Sequence, residues 1–95
     1  MNLKAYFELP DSMTVAQLRV AARIKSDAQL RQWQHGYAGR FPSPENCVAL
    51  EQATRKMVRR WDLRPHDWHL IWPELIGAEG APGVPSSTAE AQRAA

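Results

Sequence analysis

Residues 14–36 read TVAQLRVAARIKSDAQLRQWQHG and contain two helix-start signals twelve residues apart. In the first, the Thr14 side chain can accept a hydrogen bond from the amide of Gln17, whose own side chain can reach back to the threonine amide. Ser26 and Gln29 repeat this spacing, so we expect a second helix to begin just after the serine. The stretch therefore predicts two consecutive helices.

Little chain separates the two predicted helices. The first is expected to run from residue 15 to about Arg23, and the second from Asp27 to His35. Gly36 then supplies a residue suited to the left-handed end of a helix. Residues 24–26 leave room only for a tight turn, and this is the spacing of a helix-turn-helix.

Helical signals also occur on both sides of this pair. Residues 2–8 form a short helix candidate, which ends before a proline because the residue preceding proline is disfavoured in helical geometry. Further along, Ser43 suits a helix cap and Pro44 suits the first helical position, where its missing amide hydrogen is not needed. We expect a helix to follow, with apolar residues at helical spacing.

The last third of the domain mixes two kinds of signal. Residues 57–63 alternate enough in polarity to form a short extended segment. Pro65 then opens a last helix, which Pro73 closes. Together these signals predict an all-α domain of five helices that includes a helix-turn-helix, and one short extended segment at most.

The end of the chain has a different composition. Residues 77–95 are rich in Gly, Pro, Ser and Ala and contain almost no bulky apolar side chain. Such a segment cannot bury enough surface to offset the entropy lost on ordering. We therefore expect one helix-turn-helix domain over residues 1–76 and a flexible, disordered tail over residues 77–95.

Positive charge is concentrated in the middle of the chain. The net charge is +2, but residues 19–64 hold ten lysines and arginines against four acids. A basic middle fits a polyanionic partner, although an ordinary solvated surface accounts for the charge equally well.

The chain also carries indications of its compartment. No apolar run approaches the roughly 20 residues that a membrane span requires, and residues 1–6 lack the basic and apolar regions of a signal peptide. Cys47 is the single cysteine and cannot form an internal disulfide. We therefore expect a cytoplasmic protein that does not contact a membrane.

A helical wheel divides residues 27–35 into two faces. Leu30 and Trp33 lie within about 60° of each other and form the face that packs inward, with Leu18 of the preceding helix as their partner. The opposite face offers groups that hydrogen-bond base edges, since arginine pairs with guanine and glutamine with adenine. The alternative is a polar helix face in water. The predicted base-facing residues are Ala28, Arg31, Gln32 and His35.

Residues around this helix are suited to the DNA backbone. Ser26 and the free amides of the first helical turn can meet a phosphate, and Arg40 follows a glycine-containing loop that can approach DNA closely. Such contacts position a protein but read no sequence. Asp27 can accept a hydrogen bond from cytosine or simply favour the helix N-terminus. The remaining predicted phosphate contacts are Lys25 and Tyr37.

A second basic cluster consists of Arg55, Lys56, Arg59 and Arg60. It can be another contact to the DNA backbone or a solubilising edge on the extended segment. We favour the solubilising edge.

Four tryptophans are many for a chain of this length. Trp33 is expected in the core. Trp61, Trp68 and Trp72 either belong to the core or line part of a dimer interface, where aromatic residues concentrate. The last helix is the expected dimer surface.

Catalytic and metal-binding patterns are weak. His66 and His69 lie three residues apart with Asp67 and Glu74 nearby, but zinc requires three or four well-placed ligands, and neither Cys-x-x-Cys nor His-Glu-x-x-His spacing is present. The chain also lacks a glycine-rich phosphate loop and a serine-elbow motif. We therefore expect that the protein is not an enzyme and that it has no metal site and no cofactor.

Several segments of the chain contain uncommon residues in an order that is typical of one protein family. Segments 25–33, 35–36 and 40–51 read KSDAQLRQW, HG and RFPSPENCVALE, and segments 60–65, 67–68 and 71–74 read RWDLRP, DW and IWPE. Over about residues 1–76 the chain resembles the small Cro-like and YdaS-like repressors of phages and prophages, some of which are described as antitoxins. The resemblance implies a λ-repressor-like domain that binds a palindromic operator as a homodimer and regulates a nearby promoter.

The chain departs from the family pattern in two places. It has Arg23-Ile24-Lys25 where such proteins usually have a glycine-containing turn, and Arg55-Lys56 where they often have Gly or Asn. The sequence as a whole predicts a transcriptional repressor that reads the major groove of double-stranded DNA with the helix Asp27–His35. The alternative is a protein-interaction module or antitoxin on the same fold, which acts by binding a toxin or other protein partner.

Overall fold

The computed structural model describes residues 1–36 and 39–84, and in these two ranges it contains six α-helices, a short 3-10 helix near residue 74 and no strand. The all-α prediction is therefore confirmed, with one helix more than the five expected. The helices are α1 (Leu3–Phe7), α2 (Val15–Ala21), α3 (Asp27–His35), α4 (Pro44–Ala53), α5 (Arg60–Leu63) and α6 (Trp68–Ile71), and the 3-10 helix spans Pro73–Leu75.

Polar side chains start each of the first four helices. Thr14 and Gln17 form the predicted capping box, with distances of 3.1 Å from the Gln17 amide to the threonine hydroxyl and 2.9 Å from the Thr14 amide to the glutamine carbonyl. Because each cap satisfies an amide that has no partner inside its helix, these local signals set the helix starts. The other caps are Asn2, Ser26 and Ser43.

The predicted extended segment at residues 57–63 is wrong. The chain turns after α4, where the Thr54 hydroxyl accepts a hydrogen bond from the Val58 amide at 3.1 Å, and α5 then begins. The Asp62 carboxylate accepts from the Arg59 amide at 2.9 Å, and the Glu51 carboxylate accepts from the Arg60 amide at 3.2 Å. Two carboxylates that satisfy the first amides favour a helix over a strand at this point.

The last predicted helix is shorter than expected. Residues 65–67 form a turn, α6 starts only at Trp68, and Pro73 begins the 3-10 helix rather than ending the structure. Trp61, Trp68 and Trp72 are all buried, so of the two alternatives the structure supports the core. The indole rings of the first two lie edge to face with 5.9 Å between centroids, a favourable geometry for an aromatic pair.

The core joins all the helices. Trp33 is only partly buried but packs against this core. Ala78 and Ala81, which follow the 3-10 helix, also contact it, and residues 85–95 lie outside the described part of the chain. The boundary at residue 76 stays a prediction. The buried apolar residues are Leu3, Tyr6, Leu18, Ala22, Ile24, Leu30, Cys47, Leu50, Val58, Trp61, Leu63, Trp68, Trp72 and Leu75.

Over residues 1–36 and 39–84, none of the helices has both the length and the apolar character needed to cross a membrane.

Candidate nucleic-acid interface

The helix α3 is anchored to α2 through the centre of the core. Leu18 of α2 and Leu30 of α3 have no exposed surface, and the turn between the two helices adds Ala22 and Ile24, which are 3% and 4% exposed. The predicted inward face is therefore confirmed. Anchoring through fully buried side chains fixes the orientation of α3, because a packed interior allows few alternative arrangements.

The opposite face of α3 is open to solvent. Ala28, Arg31 and His35 are exposed, and Gln32 is half-buried. The helix extends over nine residues, from the Ser26 cap to Gly36, whose φ of 69° is left-handed as predicted. Within α3, the one acidic side chain is Asp27 in the first turn. The face thus carries polar donors and acceptors on a fixed helix, with no carboxylate beyond its first turn.

The other predicted contacts lie near the two ends of α3. At its start, Lys25 is exposed, and the Ser26 hydroxyl accepts a hydrogen bond from the Gln29 amide at 3.1 Å. At its end, His35 and Arg40 line the same groove of about 230 Å³. The structure therefore brings the predicted residues together along one helix and its flanks. Tyr37 lies outside the described residues.

Asp27 has a partner that the sequence reasoning missed. Its Oδ1 atom lies 3.7 Å from Nε of Arg19, which belongs to the last turn of α2. The pair spans the turn between α2 and α3. The sequence did contain a signal for this pair, because opposite charges lie at the end of one predicted helix and the start of the next. The distance between the two charges, however, depends on how the two helices cross.

Half of the second basic cluster is partly buried and pairs with a buried carboxylate, so its interpretation as a solubilising edge is wrong for Arg59 and Arg60. The Arg59 Nε atom donates to Glu51 at 2.9 Å, and Arg60 Nε lies 3.3 Å from the same carboxylate. The two guanidinium groups also stack, at 4.3 Å over Trp61 and 5.2 Å over Trp72. A buried carboxylate needs such partners because isolated buried charge is unfavourable.

Arg55 and Lys56, the other half of the cluster, are exposed at the end of α4. Both have left-handed backbone, with φ values of 53° and 66°. Arg23 at the end of α2 has the same feature, with φ of 57°. Within residues 1–36 and 39–84, the non-glycine residues with left-handed backbone are thus Arg23, Arg55 and Lys56, at the ends of α2 and α4.

Two ionisable groups near the core have shifted pKa values. Burial raises the pKa of the Cys47 thiol to about 12, and the thiol donates to the Pro42 carbonyl at 3.6 Å. Hydrogen bonds from Arg64 lower the pKa of Asp67, with distances of 3.0 Å from Nε and 2.7 Å from Nη2. Both shifts thus arise from burial and from contacts within the folded domain.

The two histidines that could have served as zinc ligands have different surroundings. His66 contacts the Phe41 ring with 6.0 Å between ring centroids, whereas His69 is buried beside Trp68. In the described ranges, no three His, Cys, Asp or Glu side chains are grouped closely enough to hold a metal ion.

Comparison with known proteins gives no match: no protein-family model, no curated protein and no solved structure matches this chain.

Proposed function

We propose that this chain is a sequence-specific DNA-binding transcriptional regulator of the repressor type, which inserts α3 into the major groove. The observation that carries the proposal is the exposed polar face of α3 on a helix whose other face is fixed by Leu30. A major groove about 12 Å wide admits one α-helix. The resemblance to Cro-like and YdaS-like repressors points to the same function.

The side chains on the exposed face suit direct readout of bases. Arg31 would donate two hydrogen bonds to one guanine, and Gln32 would pair with an adenine. Each such contact discriminates against a wrong base by about 1–3 kcal/mol. Ala28 is small enough for a thymine methyl group to approach the helix, and His35 supplies a further polar group at its end.

The flanks of α3 suit the phosphates on either side of the groove. Lys25 and Ser26 lie at the start of the helix, and Arg40 lies beyond its end. Each cation that neutralises a phosphate releases counterions, which makes binding salt-dependent. Tyr37 completes the set of proposed phosphate contacts.

A repressor of this type would act as a homodimer on a palindromic operator. Two copies of α3 would then enter successive major grooves, with half-sites about 34–36 Å apart. Residues on a second copy would double both the base contacts and the phosphate contacts. We propose double-stranded DNA and a second copy of the chain as the partners.

The test is a binding selection from random duplex DNA, followed by titration of the recovered sequence and a scrambled control at two salt concentrations. We expect a palindromic motif bound at least on the order of 10³-fold more tightly than the control. Equal, steeply salt-dependent binding to both duplexes would leave only non-specific attraction and contradict the proposal.

A second candidate is a protein-interaction module or antitoxin that binds a toxin or another protein directly. Two large apolar side chains near the C-terminal end favour it, because Leu70 is 61% exposed and Ile76 is 50% exposed. Loss of a co-purifying protein in Leu70→Glu and Ile76→Glu, with retention in Arg31→Ala, would support it. Absence of any co-purifying protein, together with a selected DNA motif, would reject it.

A further inference from the structure

Arg19 and Asp27 form a charge pair at the entrance to the proposed recognition helix. The guanidinium belongs to the last turn of α2 and the carboxylate to the first turn of α3, and the atoms Nε and Oδ1 are 3.7 Å apart. Both side chains remain open to water, at 39% and 40% exposure. Exposed pairs of this kind stabilise a fold little, so the pair adds little to the apolar burial of Leu18 and Leu30.

The geometry of the pair leaves part of the arginine available. Asp27 approaches the Nε edge of the guanidinium. Within residues 1–36 and 39–84, the two terminal nitrogens of Arg19 have no acceptor at hydrogen-bond distance. Those nitrogens form the part of the planar fork that matches the oxygens of a phosphate. The 3.7 Å separation makes this an ion pair and not a hydrogen bond, and the attraction of the carboxylate biases the fork toward one direction.

The local charge supports the same assignment. Arg19 pairs with Asp27 in the first turn of α3, and the exposed Lys25 precedes that helix by two positions in the chain. A cation beside the aspartate offsets its negative charge, which would otherwise oppose the approach of a phosphate strand. A carboxylate already paired with arginine is also less available to accept a hydrogen bond from cytosine.

We propose that Arg19 is a further DNA-phosphate contact and that Asp27 is a positioning residue that orients it, not a base-reading residue. This inference rests on the proposed function and adds one phosphate contact from α2 to those around α3. It reverses the expected effect of removing Asp27. A lone carboxylate near DNA repels phosphate, so its loss would strengthen binding. If the carboxylate instead orients Arg19, its loss would weaken binding.

The experiment is a double-mutant cycle on the selected duplex with the parent, Arg19→Ala, Asp27→Asn and the double variant. Affinities are measured over a range of salt concentrations, and thermal unfolding checks that each variant folds. We expect Arg19→Ala to lower affinity on the order of fivefold for every sequence and to reduce the salt slope by about 1. Arg19→Lys should recover the salt slope but only part of the affinity, because an ammonium lacks the fork.

The variant Asp27→Asn tests whether Asp27 positions Arg19. We expect it to weaken binding severalfold in the parent and to cause no loss in the Arg19→Ala background. Stronger binding of the single variant Asp27→Asn, or an altered base preference at one position, would overturn that role. An unchanged affinity and salt slope in Arg19→Ala would overturn the phosphate contact.

The failure of this inference can be distinguished from failure of the proposed function. If the parent selects a motif and Arg31→Ala loses it while Arg19→Ala binds like the parent, only the role of Arg19 is wrong. If the parent selects no motif, the proposed function fails and the inference fails with it.

Discussion

Arg23 and Arg55 occupy equivalent positions at the ends of two different helices. Each is the second residue after its helix and has left-handed backbone, with φ values of 57° and 53°. In both places the next amide bonds back five residues, from Ile24 to Arg19 at 2.9 Å and from Lys56 to Glu51 at 2.8 Å. This is the Schellman pattern, in which glycine is the usual residue. Arginine here carries a steric cost that glycine lacks.

Arg23→Gly should therefore stabilise the protein. Left-handed backbone costs a residue with a Cβ atom roughly 1–2 kcal/mol, and the greater freedom of glycine in the unfolded chain offsets part of the gain. We expect the free energy of unfolding to rise by about 1 kcal/mol, measured by urea denaturation. Arg23→Ala is the control, because alanine keeps the Cβ atom, and equal stability of the two variants would contradict the explanation.

Glu51 is expected to be the most sensitive charged residue. Its side chain is 8% exposed and accepts from the Arg59 side chain at 2.9 Å and the Arg60 amide at 3.2 Å. Glu51→Gln removes the charge that compensates two partly buried arginines, so we expect a loss of about 2–3 kcal/mol in chemical denaturation.

Gln52→Ala provides the matched control for this prediction. It alters the next residue of α4, which is exposed, and should change stability by less than about 0.5 kcal/mol. Denaturation midpoints that are the same for Glu51→Gln and Gln52→Ala would mean that the carboxylate does not hold α5 in place.

The pair of Arg64 and Asp67 should make stability depend on acid pH. Hydrogen bonds from Arg64 lower the pKa of the Asp67 carboxyl in the folded protein, partly against the effect of burial. The folded state therefore binds this proton less tightly than the unfolded chain. The stabilisation is present above the ordinary aspartate pKa of about 4 and is lost as the pH falls through the lower folded pKa.

Asp67→Asn tests this dependence. We expect the parent to be more stable than the variant at neutral pH and the difference to shrink as the pH is lowered below about 4. Thermal unfolding of both proteins across this range measures the difference. A gap that stays constant from neutral to acid pH would show that ionisation of Asp67 contributes nothing.

The Cys47 thiol should be unreactive in the folded protein. It has no exposed surface, and burial raises its pKa to about 12. At pH 8 an exposed thiol is partly ionised to thiolate, the reactive form, whereas this thiol stays protonated. We expect a thiol reagent to label the native protein only at the rate of unfolding, and the urea-unfolded protein at once. Rapid native labelling would contradict the burial.

The raised pKa of the Cys47 thiol also makes stability depend on pH in the alkaline range. Because the folded state holds the thiol proton more tightly than the unfolded chain, the stabilisation is complete below the ordinary cysteine pKa of about 8.5 and falls as the pH rises above it. Cys47→Ala should lack this part of the alkaline loss.

Local signals explain how much of the fold could be predicted. Thr14 with Gln17, and Ser26 before α3, act within three residues, so the sequence pattern alone located those helix starts. The start of α5 depends in part on Glu51, which comes from the preceding helix, and the alternation in residues 57–63 was misleading without it. A carboxylate contributed from another element leaves no trace in local periodicity.

In the candidate site too, local signals could be predicted and contacts between different elements could not. Helical periodicity separated buried Leu30 from exposed Arg31, because both faces belong to a single helix. The partner of Asp27 could not be found in that way, since Arg19 meets it across a turn whose geometry is set by left-handed Arg23. The interior role of Arg59 likewise follows from tertiary contact with Glu51.

The most direct test of the proposed function compares selected DNA motifs among variants. Binding selections from random duplex DNA are run with the parent, with Arg31→Ala on the exposed face of α3, and with Arg55→Ala as an exposed arginine at the end of α4. We predict that the parent and Arg55→Ala recover the same palindromic motif and that Arg31→Ala loses the preference for guanine at one position of each half-site. Recovery of an identical motif with all three proteins would contradict base reading by α3.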